Sequence, residues 1–187
     1  MSEKIHIAPA PVQLTPAEKR AAEHLVAGSS NAEGAQALSI STTTFTSHIA
    51  AIGQKFALTG HHSRPARAHA VLASRQVPPP PAPEHMPHFT ERELRLLRAL
   101  AERPETYDIA TQAGVAPADV RPLIADLVAK AGAANDTHLV ALGHAWGLLG
   151  TSPTGSGRSA TNAKTRPASP ALRVPAPSGT GFASSSA

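Results

Sequence analysis

From Ser41 to Ser47 the chain reads STTTFTS, so six of seven side chains end in a hydroxyl. A hydroxyl donates and accepts a hydrogen bond, carries no charge and is short. A row of them suits close approach to a hydrogen-bonding surface outside the protein. Among and after them come Phe45, Ile49, Ile52 and Phe56, spaced four, three and four. That period lays the apolar groups along one stripe of an α-helix and leaves Thr42, Thr43, Thr46 and Ser47 off it. The spacing predicts a helix over 42–56 with one face buried and a second face kept for a partner.

Other chemistry finds little support. The 187 residues include no cysteine, which excludes disulfides, thiolate metal sites and thiol nucleophiles. Ten histidines are present, His61 and His62 side by side, but no acid or further histidine stands at ligand spacing, so composition explains them and no metal is expected. No Gly-rich phosphate loop, nucleophile elbow or carboxylate pair occurs at a motif spacing. The reading is therefore a non-enzyme, with no catalytic residue and no cofactor. The amino terminus, MSEKIHIAPAPVQL, lacks the basic start and long apolar run of a secretory signal, and no stretch is long and apolar enough to span a membrane. A cytoplasmic protein with no membrane partner is expected.

Charge is unevenly spread. The net value is +4. Residues 14–77 carry Lys19, Arg20, Lys55, Arg64, Arg67 and Arg75 against Glu18, Glu23 and Glu33. Residues 89–149 carry six basic against eight acidic residues, while 151–187 holds Arg158, Lys164, Arg166 and Arg173 with no acid. An anionic partner would favour the first segment and the tail.

The elements that position the hydroxyl helix can be read from caps and turns. Thr15 with Glu18, Ser30 with Glu33 and Thr90 with Glu93 are capping boxes, and Ser41 is the natural cap of the hydroxyl helix. Helices are expected over 16–27, 31–38, 42–56 and 64–74, then over 91–102, 106–113, 117–131 and 137–148. The second and third helices of each set are joined by SIS or GVA, with an aliphatic residue in the middle, the arrangement of a helix-turn-helix. An offset of 75 residues pairs Leu14 with Phe89, Leu25 with Leu100, Ile40 with Val115, Phe45 with Val120, Ile52 with Leu127 and Lys55 with Lys130. Such a register points to two diverged copies of one unit. The expected architecture is all-α: a flexible arm over 1–13, a four-helix unit over 14–77, a Pro-rich spacer over 78–88, a second unit over 89–150 and a disordered basic tail over 151–187.

The stretch LTPAEKRAAEHLVAGSSNAEGAQALSISTTTFTSHIAAIGQKFAL resembles the LuxR/GerE-type helix-turn-helix domain of bacterial transcription regulators. Leu14, Thr15, Glu18, Gly28, Ser30, Asn31, Glu33, Ala35, Leu38, Ile40, Ser41, Thr44, His48, Ile52 and Lys55 fall on that family's pattern. The resemblance implies that helix 42–56 lies in the major groove of double-stranded DNA. Thr42, Thr43, Thr46 and Ser47 then face the groove, with Thr44 and Lys55 on phosphate. His48 either touches phosphate when protonated or packs beside Ile49 and Ile52. The resemblance also implies a homodimer contact through a unit's last helix and a nucleoid-associated location. Gly34 stands where the family has a large aliphatic residue, so the first core is expected to lack a side chain. The second unit restores it with Ile109, but its reading positions hold Asp119, Arg121, Pro122 and Asp126, leaving Arg121 and Lys130 as its DNA contacts. Carboxylates there oppose phosphate, and Pro122 is expected to interrupt the helix. The competing expectation is an adaptor whose two units bind a sigma factor, a polymerase subunit or another regulator.

Overall fold

A computed structural model describes residues 12–58 and 63–150. Most of the expected arm, His61 and His62, and the tail lie outside the described residues. Within them the fold is all-helical, without strands. Four helices form a first set: α1 (Pro16–Val26), α2 (Asn31–Ala37), α3 (Thr42–Lys55) and α4 (Arg64–Ala73). Four form a second: α5 (Glu91–Glu102), α6 (Thr106–Ala113), α7 (Val120–Ala131) and α8 (Asp136–Ala145), with a 3-10 turn at Pro117–Asp119 before α7.

Local chemistry explains the starts of these helices. At α1 the Thr15 hydroxyl accepts from the Glu18 N–H at 3.3 Å, and the Glu18 carboxylate accepts from the Thr15 N–H at 2.6 Å. Thr90 and Glu93 repeat the pair at α5 with the same two distances. Ser30, Ser41, Ser63 and Asn135 cap α2, α3, α4 and α8 by accepting a backbone N–H with the side chain. Helix ends match as well. Ser39, Ala57 and Arg75 take positive φ angles of 55°, 55° and 58° after α2, α3 and α4, where Gly114, Gly132 and Gly147 follow α6, α7 and α8 at 68°, 63° and 71°. The first two pairs keep the 75-residue register and the third falls three residues short of it, because the α3–α4 loop is longer than the α7–α8 loop.

Phe45, Ile49, Ile52, Leu25, Val71 and Leu72 bury together in the first set; Leu97, Leu100, Ile109, Val120, Leu127 and Leu139 do so in the second. The expected loss at Gly34 is corrected by the packing. A Cβ at Gly34 would stand 2.4 Å from Phe45 Cζ, so the Phe45 ring already fills that space. The second set exchanges the volumes, with Ile109 for Gly34 and Val120 for Phe45, both buried. Pro122 is corrected too. Because the 3-10 turn takes up Pro117–Asp119 and α7 starts at Val120, Pro122 sits in the first turn of α7, where no intrahelical N–H bond is lost.

Val12 and Gln13, expected in the loose arm, are held: Gln76 Nε2 donates to the Val12 carbonyl at 2.6 Å and Lys55 Nζ to that of Gln13 at 3.1 Å. Residues 78–88 hold no helix or strand, but they do not keep the sets apart. α4 packs on α8, α4 also on α5, and α8 also on α1. Each last helix therefore meets the other set's first helix, the pattern of an isologous contact. Ala141 of α8 is buried within the first cluster. His69 Nδ1 and His144 Nε2 meet at 2.9 Å between α4 and α8, and Asn135 Nδ2 donates to the Gly28 carbonyl at 2.6 Å. Gly28 is required there, since its φ is +81° and a Cβ would stand 2.8 Å from His138 Cβ.

Candidate nucleic-acid interface

α3 starts at a side-chain cap and buries Phe45, Ile49 and Ile52, which turns its opposite face to solvent. On that face Thr42, Thr43, Thr44, Thr46 and Ser47 are all exposed. Their hydroxyls are not equivalent. Ser47 Oγ donates to the Thr43 carbonyl at 2.9 Å, and Thr44 Oγ1 lies 2.8 Å from Ser41 Oγ within the cap. Thr46 Oγ1 donates to the Thr42 carbonyl at 2.8 Å and accepts from Asn31 Nδ2 at 3.1 Å. Thr42 and Thr43 are the two whose hydroxyls take no partner among the described residues. The amino-terminal turn of α3 adds the partial positive charge of its free N–H groups beside these side chains.

His48 is half-buried and lines a recess of about 90 Å³ with Ala17, Arg20, Leu38 and Ile40. It sits at the edge of the hydroxyl face, against the turn between α2 and α3.

Lys55, expected on phosphate, and Lys130, expected as a DNA contact of the second unit, each pair with a carboxylate of the protein itself. Lys55 Nζ stands 2.6 Å from Glu18 and Lys130 Nζ 2.7 Å from Glu93, so each third helix is tied to the amino end of its set's first helix. Burial pushes the Glu18 carboxyl up, but hydrogen bonds from Lys55 and Thr15 outweigh it and hold Glu18 below the usual carboxylate range. Glu93 is lowered chiefly by its hydrogen bond from Lys130 and also by the Thr90 N–H. Lys130 Nζ lies 5.5 Å from the Phe89 ring centroid as well. With Lys55 committed, α3 itself offers no free charge, so charge beside its face must come from neighbouring elements such as exposed Arg20 of α1.

Two residues of the site were not singled out from the sequence. Asn31 opens α2 and reaches Thr46; Arg64 opens α4, donates to Asn31 Oδ1 through Nη1 and to the Ser29 carbonyl through Nη2 at 2.6 Å. Arg64 is half-buried, and desolvation followed by the nearby Arg67 charge lowers its pKa. Asn31 had a signal in the sequence, its place with Gly28 and Ser30 on the family pattern. Arg64 had none, because only the tertiary approach of α4 to α2 brings it there.

In the second set Asp119, Arg121, Pro122 and Asp126 are exposed, as the sequence implied. Ile124, the counterpart of buried Ile49, is only half-buried. With Leu100, Pro104, Ile109 and Val128 it lines an apolar groove of about 590 Å³, rimmed by Arg121 and Asp136.

A cap-defined helix set by a short turn against its predecessor, with its polar face outward, places the first set in the helix-turn-helix class. Residues 12–66 match the family model described as bacterial regulatory proteins, luxR family. The match runs from the capped start of α1 through α3 into the first residues of α4, so this segment is similar to a luxR-type helix-turn-helix domain. The second set lies outside it. No curated protein and no solved structure matches the chain. No helix among the described residues is long and apolar enough to cross a membrane.

Proposed function

We propose that the protein is a sequence-specific, non-enzymatic DNA-binding transcription regulator that reads the major groove with α3. One observation carries this reading: on the third helix of the luxR-type segment, all five short hydroxyl side chains are exposed. Thr42 and Thr43 donate to phosphate oxygens or base acceptors, Thr44 supports the phosphate contact at the cap, and Ser47 accepts from base donors. His48 lines the rim of this face. The location that goes with this role is cytoplasmic and nucleoid-associated.

The second set is a diverged copy of the first. The repeated capping boxes, the paired ion bridges Lys55–Glu18 and Lys130–Glu93, and the matched helix ends support that descent. Its acidic reading face makes it a partner in packing rather than in reading, with Arg121 its one outward cation near the duplex. Because α4 and α8 already cover one another, this contact takes the place of a homodimer, and light scattering of the full chain should give one chain's mass.

The test is duplex retention by the full chain with Thr42→Glu and Ser47→Glu together. Both residues are exposed, so helicity should stay unchanged while binding to a selected duplex is lost. Intact binding would overturn the assignment of this face. The apolar groove beside α7 favours a second role for that set, docking a protein of the transcription machinery such as a sigma factor or polymerase subunit. Capture of such a protein at high salt by wild type, and its loss with Val128→Glu, would support that role.

A further inference from the structure

We infer that Thr46 reads a thymine through its methyl group, because Arg64 and Asn31 hold its hydroxyl away from the duplex. The inference rests on α3 being the groove helix and says which base one position selects. Arg64 is fixed at two points, donating to Asn31 Oδ1 and to the Ser29 carbonyl. That grip orients the Asn31 amide so that Nδ2 points at Thr46 Oγ1, 3.1 Å away. Thr46 Oγ1 spends its own proton on the Thr42 carbonyl at 2.8 Å. Its donor is therefore used and one acceptor site is filled. Thr46 is exposed on the reading face, and the group it has left for an apolar contact there is its Cγ2 methyl.

A methyl there can discriminate bases in only one way. The thymine C5-methyl is the apolar feature of the major groove, and threonine methyls are among the groups that contact it. Ser47, one residue on, differs. Its hydroxyl donates to Thr43 but has no second partner among the described residues, so it keeps its capacity to accept from a base amine. Two neighbouring hydroxyl residues thus read by different chemistry, and the three-residue relay Arg64–Asn31–Thr46 separates them. Asn31 and Arg64 are positioning residues, since both act through Thr46.

The experiment selects a duplex from a randomised pool with wild-type full chain, then replaces each thymine in turn by deoxyuridine, which removes the methyl and nothing else. Binding by wild type should fall about fourfold at one thymine, the change expected when one buried methyl is lost. Thr46→Val keeps a methyl and discards the hydroxyl, and should retain that sensitivity. Thr46→Ser keeps the hydroxyl and discards the methyl, and should bind thymine and deoxyuridine equally at that position. Asn31→Ala frees the hydroxyl to turn and should shrink the thymine preference without moving the other selected positions. A selected duplex with no methyl-sensitive thymine, or one whose sensitivity survives in Thr46→Ser, overturns the inference while leaving DNA reading intact. Failure of the pool to enrich any sequence overturns DNA reading itself.

Discussion

Replacing Gly34 by Ala should destabilise the protein, although the same change in an exposed helix interior stabilises it. Ala is the better helix former by about 0.8–1 kcal/mol. At this site the new Cβ would lie 2.4 Å from Phe45 Cζ and 2.5 Å from Cε2, more than an ångström inside ordinary carbon contact. The Phe45 ring is fully buried, so it has nowhere to retreat without displacing its neighbours. Overpacking of that kind costs about 1–3 kcal/mol. The clash outweighs the propensity gain, and the net expected effect is about 1 kcal/mol of lost stability. With Phe45→Val in place the ring is gone and the sign reverses, because Gly34→Ala then keeps its propensity gain and fills part of the void. Phe45→Val alone should cost about 2–3 kcal/mol. The coupling between the two changes is thus about 2 kcal/mol, large enough to resolve by urea unfolding followed by circular dichroism. The reasoning is refuted if Gly34→Ala stabilises the native background, or if the two effects add.

Lys55→Met should leave Glu18, 6 % exposed, without its cation and cost about 1–3 kcal/mol in the same unfolding measurement. The slope of log affinity against log salt should stay that of wild type, since a lost phosphate contact would lower it by about 0.9. Ala57→Gly should stabilise by about 0.5–1 kcal/mol, because Ala57 holds a φ of 55° at an exposed helix end where the second set uses glycine; a lowered urea midpoint would refute this. Acidification should weaken the fold. Burial, and then the facing charge of His69, lower His144 to about 4, and burial also lowers His69 despite the raising influence of Glu102. The unfolded chain binds protons that these folded imidazoles refuse, so stability is full above about 6.5 and declines as pH falls from there toward 4. His144→Gln should flatten the dependence of melting temperature on pH between 7 and 5, and an unchanged slope would show that the α4–α8 contact does not carry it.

The helices were legible in the sequence because their signals are local. A capping box lies within four residues, and the reading of α1, α2, α3 and α5 needed only those boxes, Ser41 and the apolar period. The third helix of the second set was less so, since no side chain caps Asp119 and the chain enters through a 3-10 turn. What spacing could not reveal was tertiary. Gly34 read as a gap because its filler, Phe45, is eleven positions away and was assigned to another element. Lys55 read as a phosphate ligand because the resemblance implied it, and spacing did not reveal that the Glu18 carboxylate, which caps α1, also accepts from its ammonium. The hydroxyl face was visible from composition and period alone. Which hydroxyls remain available was not, because that depends on Asn31 and on an arginine brought in by α4.

The contact between α4 and α8 lies within one polypeptide. When two identical subunits associate, every substitution is made twice, and the surfaces they present are compelled to stay alike. Here the carboxylates at positions 119 and 126 leave positions 44 and 51 untouched, so one surface is free to drift, or to be recruited elsewhere, while the other keeps its chemistry. For a protein that reads DNA as proposed, covalent linkage releases the target from palindromic symmetry, and a lone asymmetric element is expected to suffice.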